Sequence, residues 1–132
     1  MLLHPLAVHF PLALWLTSAL FDLLAWRRGD PLYRRAAAWL VGLGLLGALI
    51  SIALGWLDLL AQEAQGVGTG LLLRHRLHSG VAYAATLVYA INFGWRRRDP
   101  QRVAGALLAL SLVGALLVAI AGYLGGELRN VM

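Results

Sequence analysis

The sequence of 132 residues contains no cysteine and little charge. Without cysteine there is no disulfide, no thiolate nucleophile and no cysteine-ligated zinc or iron–sulfur centre. Charged residues make up 13% of the chain, against roughly a quarter in soluble domains. Hydrophobic residues make up 61%, and the mean hydropathy is +0.75. This composition is typical of a membrane protein, and the length indicates one transmembrane domain covering residues 1–132.

Lysine is also absent, so all eleven basic residues are arginines. The net charge of +5 would suit nucleic acid, but most of these arginines lie between apolar runs instead of forming one basic face. That placement is typical of membrane topology. We therefore expect the lipid bilayer, and not nucleic acid, as the partner of this surface.

Four apolar runs are long enough to cross the hydrocarbon core, which is about 30 Å thick, at about 1.5 Å per helical residue. They cover approximately residues 6–26, 36–60, 75–95 and 103–124. The first run is too long for the apolar core of a signal peptide, so we expect it to remain as a helix. These runs predict an all-α, up-down-up-down bundle, with a polar loop over 61–75. We detect no internal repeat strong enough to predict one.

The arginines predict which side of the bundle faces the cytoplasm. The connections after the first and third runs contain eight arginines, whereas the opposite side contains three. The positive-inside rule places the eight in the cytoplasm. We expect a multi-pass protein of the plasma (inner) membrane, with both termini on the outer face.

The ionisable residues of the outer side form the candidate site. All four histidines fall on that side, together with Asp58 at the end of the second run. Ionisable groups at membrane depth are costly, and a functional role is the default hypothesis for them. The members of this set are His4, His9, Asp58, His75 and His78.

Two imidazoles from facing helices of a bundle can ligate a haem iron. His9 and His78 are the pair best matched in depth. Arg74 and Arg76 lie nearby in the sequence, and guanidinium groups suit carboxylates such as haem propionates. The first hypothesis is a small b-type haem protein that transfers electrons, with its cofactor near the outer face.

Two alternatives remain open. The same set of four histidines and Asp58 contains the donor types of a divalent metal site for Zn²⁺, Cu²⁺ or Fe²⁺. The histidines would otherwise be polar contacts between helices in a cofactor-free subunit of a membrane complex. A homodimer or a membrane redox partner is compatible with these functions. No nucleophile–base pair is evident, so an electron carrier or binding protein is favoured over an enzyme.

Other polar and small residues predict helix packing. We expect Asp22, near the cytoplasmic rim, to pair with an arginine of the adjacent loop, and Asn92 to form a hydrogen bond between helices. The second run is rich in glycine, which favours close approach of helices over a cofactor slot. These glycines are Gly42, Gly44, Gly47 and Gly55.

The opening HPLAVHFPLAL and the ending GYLGGEL, together with Asp22, Gly55, Asp58 and His78, resemble the domain of unknown function family 2231. This is a bacterial and archaeal membrane family without an established activity. The resemblance implies four helices in an architecture similar to that of membrane b-type cytochromes. Relatives commonly carry a further histidine after GGEL, whereas residues 129–132 here are RNVM. If that histidine is a ligand in the family, His75 or Glu127 would have to replace it here.

Overall fold

The computed structural model describes residues 3–66, 68–99 and 104–131. All secondary structure in these ranges is helical, as predicted. Helices α1, α2 and α3 extend beyond the apolar runs, because helical hydrogen bonds also form outside lipid and the ends are set by caps and turns. The predicted start of the fourth helix, 103, lies outside the described residues. The helices are α1 (Leu3–Arg28), α2 (Pro31–Ala64), α3 (Thr69–Arg98) and α4 (Ala104–Val131).

A tight turn joins α1 to α2. Gly29 adopts a φ of 68°, a conformation that glycine enters without steric cost, and its N–H donates to the carbonyl of Ala25. Asp30 then caps α2 by accepting a 2.8 Å hydrogen bond from the N–H of Leu32. Pro31 occupies the first position of α2, where no donor is needed. The sequence Gly-Asp-Pro therefore reverses the chain and supplies hydrogen-bond partners at the end of α1 and the start of α2.

The polar loop predicted over 61–75 is mostly helical. Helix α2 continues to Ala64, and α3 already begins at Thr69. Gly66, at a φ of 74°, lies in the short connection. The ends of α2 and α3 thus continue as helix through polar residues beyond the apolar runs. The glycines mark only the point where the chain turns.

The helices form the predicted up-down-up-down bundle. Helix α1 packs antiparallel to α2, and α3 packs antiparallel to α4. Helices α1 and α4 also pack together, whereas α2 and α3 touch less and are joined by a hydrogen bond from Trp56 Nε1 to the hydroxyl of Tyr83. Helices α1 and α3 are therefore diagonal, and each is flanked by α2 and α4.

The bundle has two chemically distinct ends. We call one the histidine end, because it contains His4, Asp58, His75 and His78. The other is the arginine end, which contains Arg27, Arg28, Arg34, Arg35, Arg96, Arg97 and Arg98.

Within the described ranges, three helical segments have the length and apolar composition to cross a membrane: Leu3–Arg28, Pro31–Ala64 and Gly105–Leu128. Helix α3 is similarly long but carries five arginines and two histidines. It packs against α4 and, less extensively, against α2. Large apolar side chains cover the outside of the bundle; Leu87 of α3 and Leu116 of α4, for example, are each 62% exposed. A surface of this kind is suited to lipid contact.

The centre of the bundle is a stacked aromatic pair. The rings of Trp15 and Tyr89 lie 4.1 Å apart at an angle of 10°. Glycines on the opposing helices admit these rings: a Cβ on Gly44 would come within 2.3 Å of Trp15, and one on Gly114 within 2.8 Å of Tyr89. At Gly44, the prediction that glycines of the second run allow close approach of helices is confirmed. Helices in lipid associate through close packing, because the lipid removes the hydrophobic drive for association.

A buried polar network lies between this aromatic pair and the arginine end. Arg96 donates through Nη2 to Asp22 Oδ2 at 2.5 Å and through Nε to Asn92 Oδ1 at 2.6 Å. Ser111 donates to the same Asp22 oxygen and accepts a 3.0 Å hydrogen bond from Asn92. The network joins α1, α3 and α4. Asp22 pairs with an arginine as predicted, but this arginine lies in α3 and not in the loop that follows α1. The interhelical hydrogen bond predicted for Asn92 is confirmed.

Four of the six buried positions of α1 recur 74 residues later, as the four buried positions of α3. Trp15 corresponds in this way to Tyr89, and Asp22 corresponds to Arg96, its own ion-pair partner. All five buried positions of α2 recur 70 residues later in α4. The pairs are Ala37 and Leu107, Val41 and Ser111, Gly44 and Gly114, Ala48 and Val118, and Ser51 and Ala121.

The protein is therefore an internal repeat of two helical hairpins, α1–α2 and α3–α4. The sequence alone did not reveal this repeat, because few of the corresponding residues are identical. The repeat becomes visible only when burial and contacts are compared position by position.

Candidate functional site

The rings of His4 and His78 face each other at the histidine end. Their centroids are 6.2 Å apart, and the ring planes meet at 85°. Because α1 and α3 are diagonal, this pair spans the middle of the bundle. The two histidines also occupy corresponding positions of the two hairpins, 74 residues apart. The site therefore receives the same side chain from each half of the repeat.

Each of these rings is held by a backbone carbonyl of the adjacent helix. His4 Nδ1 lies 2.8 Å from the carbonyl oxygen of Ser51, and His78 Nδ1 lies 2.9 Å from that of Ala121. A carbonyl oxygen only accepts hydrogen bonds, so Nδ1 must carry the proton. In the neutral ring, Nε2 then keeps its lone pair. This is the tautomer found in histidines that bind metal through Nε2.

A glycine one turn from each carbonyl makes room for the ring. A Cβ on Gly55 would lie 3.0 Å from Cε1 of His4, and a Cβ on Gly125 would lie 3.0 Å from Cε1 of His78. Gly55 follows Ser51 by four positions, as Gly125 follows Ala121. Each hairpin thus supplies one histidine, one carbonyl acceptor and one glycine in the same arrangement.

His75 and Asp58 lie beside this pair. The partly buried ring of His75 is close enough to His4 and Asp58 for electrostatic interaction with both. His75 Nε2 is buried without a hydrogen-bond partner among the described residues. The structure therefore brings four of the five predicted site residues to one end of the bundle. His75 has an unused nitrogen there, and its first-hairpin counterpart would be position 1, outside the described residues.

His9 is placed differently from the prediction. Its side chain is exposed, and Nδ1 lies 2.6 Å from the carbonyl oxygen of Pro5, one turn earlier in the same helix. Helix α1 continues through Pro11 without a break. His4 and His9, five positions apart, therefore point in different directions, as they do on a regular helix. The ring that faces His78 is that of His4.

The remaining predicted residues are Arg74 and Arg76, in the first turns of α3. Both side chains are exposed at the histidine end. They precede His78 along α3 by four and two positions. Neither takes part in the packing of the bundle core.

The donors present at this end decide what the site can hold. Among the described residues, no three His, Asp or Glu side chains form a group that could hold a metal ion by themselves. The facing pair of imidazoles supplies two donors. The sequence placed both His4 and His78 in the candidate set but paired His78 with His9. It held no signal for the carbonyls of Ser51 and Ala121, which are backbone groups.

The sequence profile of one protein family, described as a predicted membrane protein of unknown function (DUF2231), matches residues 2–132. No solved structure matches the chain. The match covers both hairpins and every residue of the candidate site. The chain belongs to this family of predicted membrane proteins.

Proposed function

We propose that the protein is a small b-type haem protein of the membrane, with His4 and His78 as the axial ligands. The observation that carries this proposal is the facing pair of rings, each fixed through Nδ1 in the tautomer that leaves a lone pair on Nε2. His4 here takes the role that the sequence pattern had suggested for His9. The exposed ring of His9 is bound to its own helix and does not face the bundle interior.

The separation of the two rings fits ligation of one metal ion from opposite sides. Imidazole nitrogens bind first-row metals at about 2 Å, so two such rings have centroids roughly 6 Å apart. The centroids of His4 and His78 are 6.2 Å apart. Two equivalent ligands from the two halves of a repeat also suit a flat cofactor between them, as in haem-binding helical bundles.

The number of donors favours haem over a bare ion. A haem iron needs only two protein ligands, whereas a zinc site usually takes three or four. The alternative function, divalent metal binding by His4, His9, Asp58, His75 and His78, needs a third donor to join the facing pair. A cofactor-free structural subunit needs neither ligand, and it gives no reason for two histidines at corresponding positions in the same tautomer.

A bound haem would supply a one-electron iron couple. The residues of the chain would orient and shield it. The carbonyls of Ser51 and Ala121 fix the ring orientations, and the apolar bundle keeps water from the ligands. Arg74 and Arg76 supply cations for carboxylates at the rim. The protein would pass electrons to or from a redox partner, either in the membrane or at its surface.

The absorption spectrum tests this proposal. Protein produced with added haem precursor should show a Soret band and, after reduction, a sharp α-band with about one haem per chain. His4→Ala and His78→Ala should each lose the six-coordinate spectrum, because one axial nitrogen is removed. Added imidazole should restore it. His9→Ala is the comparison and should keep the wild-type spectrum.

Three outcomes would contradict the proposal. Colourless protein would exclude haem, and stoichiometric zinc or copper in that protein would support the metal alternative. Loss of the spectrum in His9→Ala but not in His4→Ala would restore the pairing of His9 with His78.

A pair of glycine variants gives the third outcome. Gly125→Ala crowds the ring of His78, whereas Gly126→Ala meets nothing within 4 Å. The first variant should therefore bind haem more weakly than the second, and equal binding would count against His78 as a ligand.

We also propose that the arginine end faces the cytoplasm, as the positive-inside rule predicts. The cysteine-free chain allows a direct test by single cysteines at exposed positions. A membrane-impermeant maleimide applied to intact cells should label Gln65→Cys, at the histidine end. It should label Arg28→Cys only after permeabilisation. The reverse pattern would place the haem site on the cytoplasmic side.

A further inference from the structure

The outer sides of α1 and α3 correspond to each other in the repeat. All seven exposed positions of Leu6–Leu20 have counterparts 74 residues later, in Gly80–Gly94, that are also exposed. We call these two sets of positions the α1 face and the α3 face. Trp15 stacks on Tyr89 across the bundle, so positions 74 residues apart lie at the same depth. Because α1 and α3 are diagonal, the two faces point in opposite directions.

The two faces are complementary in side-chain size. Four positions of the α1 face carry large apolar residues, which are Leu6, Phe10, Leu16 and Leu20. Their counterparts on the α3 face are small, namely Gly80, Ala84, Ala90 and Gly94. The relation is reversed at two further positions, where Ala13 and Thr17 correspond to Leu87 and Ile91. At each of these six depths, one face has a large side chain and the other a small one.

The seventh position is polar on both faces. His9 of the α1 face donates from Nδ1 to the carbonyl of Pro5, so Nε2 of the neutral ring is an acceptor. Its counterpart Tyr83 accepts a hydrogen bond from Trp56 Nε1 at its hydroxyl oxygen, and its own O–H can still donate. An imidazole exposed to lipid is costly without a hydrogen-bond partner. The two faces thus present an acceptor and a donor at one depth.

We propose that the protein associates with copies of itself in the membrane plane, the α1 face of one copy packing against the α3 face of the next. Copies of one chain share one orientation, so residues at equal depth meet. Large side chains then meet small ones, which gives the close packing that associates helices in lipid. A contact between two α1 faces would set large residues against large ones at four depths. Each copy has one face of each kind on opposite sides, so the contact is heterologous and continues from copy to copy.

This proposal does not depend on haem, and single cysteines test it because the chain has none of its own. One tagged chain carries Leu16→Cys, and a second chain with a different tag carries Ala90→Cys. Oxidation by copper phenanthroline in membranes should cross-link the two chains to each other and neither to itself. A chain with both cysteines should form a ladder of dimers, trimers and longer products. Val113→Cys, on α4 and 51% exposed, is the control and should cross-link to neither chain.

Two results of this experiment would overturn the proposal. Cross-linking of Ala90→Cys to itself, without cross-linking to Leu16→Cys, would show a dimer formed by two α3 faces. Cross-linking that is no stronger for the pair of Leu16→Cys and Ala90→Cys than for Val113→Cys would show that the two faces do not meet.

Association in lipid vesicles provides the second test, measured by energy transfer between copies labelled at Gln65→Cys. Gly94→Leu puts a large residue opposite Leu20 of the neighbouring copy and should weaken association about tenfold or more. A Cβ at Gly94 meets nothing within 4 Å in its own chain, so the bundle should still fold. Gly105→Leu, at another open glycine, is the control. Adding Leu20→Ala to Gly94→Leu sets small against large again and should restore association, which a misfolded variant would not do.

The polar pair has its own variant. Tyr83→Phe removes the donor but keeps the ring, and it should weaken association about threefold, as for one hydrogen bond between membrane helices. Tyr123→Phe, an exposed tyrosine on α4, should have no effect. Association of Gly94→Leu and Tyr83→Phe at the wild-type level would overturn the proposed contact, whether or not the protein binds haem.

Discussion

Replacing Arg96 with Met is expected to lower the free energy of unfolding by about 3–5 kcal/mol, because it leaves the carboxylate of Asp22 buried without its cation. Asp22 is 5% exposed and Arg96 is 7% exposed, so water replaces little of the lost interaction. Asn92 and Ser111 lose a shared partner in the same change. Unfolding in mixed micelles, driven by a denaturing detergent, measures the difference.

The control for this prediction is Arg98→Met. Arg98 is exposed at the end of the same helix, and its replacement should change the free energy by no more than about 0.5 kcal/mol. Equal destabilisation by the two changes would show that the buried pair does not hold the bundle together.

The correspondence between the two hairpins allows a second test of the ion pair between Asp22 and Arg96. Asp22 and Arg96 occupy corresponding positions, so exchanging them places each charge where the other stood. The double variant Asp22→Arg with Arg96→Asp should be clearly more stable than Asp22→Arg alone, which brings two arginines together. It should not reach the wild type, because Asn92 and Ser111 favour an arginine on α3. Additive effects of the two changes would contradict the correspondence.

Part of this network could be predicted from sequence. Asp22 and Asn92 interrupt apolar runs, and a polar group in lipid must find a partner, so their roles as buried contacts follow directly. Ser111 gave no such signal, because serine is common in transmembrane helices and its hydroxyl can bond to its own backbone. Arg96 belongs to a row of three arginines, and sequence does not distinguish the one that turns inward.

At the candidate site too, some features could be predicted from the sequence and others could not. Position along the chain was enough to place four histidines and Asp58 near one end. The partner of His78 depends on helix rotation, and a shift of one residue rotates a side chain by about 100°. His9 matched His78 in depth, but His4 matches it in direction, because α1 turns Trp15 and Asp22 towards the core and His4 follows that face.

Helix ends were predicted least accurately, and the reason is physical. Hydropathy reports where a chain can contact lipid, whereas helical hydrogen bonding continues through polar residues until a glycine or a cap stops it. The helical stretch over Thr69–Leu73 was therefore predicted as loop, although it directly precedes Arg74 and the site. The repeat was hidden for a related reason, since its two halves share small and buried positions more than residue identities.

The last prediction concerns Gly44, one of these small residues, at the interface between α1 and α2. Gly44→Ala is expected to cost about 3 kcal/mol, at the upper end of the range for overpacked cores. The added Cβ would lie 2.3 Å from Nε1 of Trp15, a ring that is 3% exposed and donates to the carbonyl of Val41. The ring is also stacked on Tyr89, so it has no free direction in which to move.

An open glycine supplies the control. Gly80 lies within α3, and a Cβ added to it would meet nothing within 4 Å, so Gly80→Ala should leave stability unchanged or raise it by about 0.5–1 kcal/mol. The effects of Gly44→Ala and Trp15→Leu should be less than additive, because removing the indole removes the clash. Equal melting behaviour of Gly44→Ala and Gly80→Ala would mean that α1 and α2 do not approach as closely as this packing requires. The spacing of His4 from Gly55 on the same two helices would then be in question as well, since one helix interface positions both contacts.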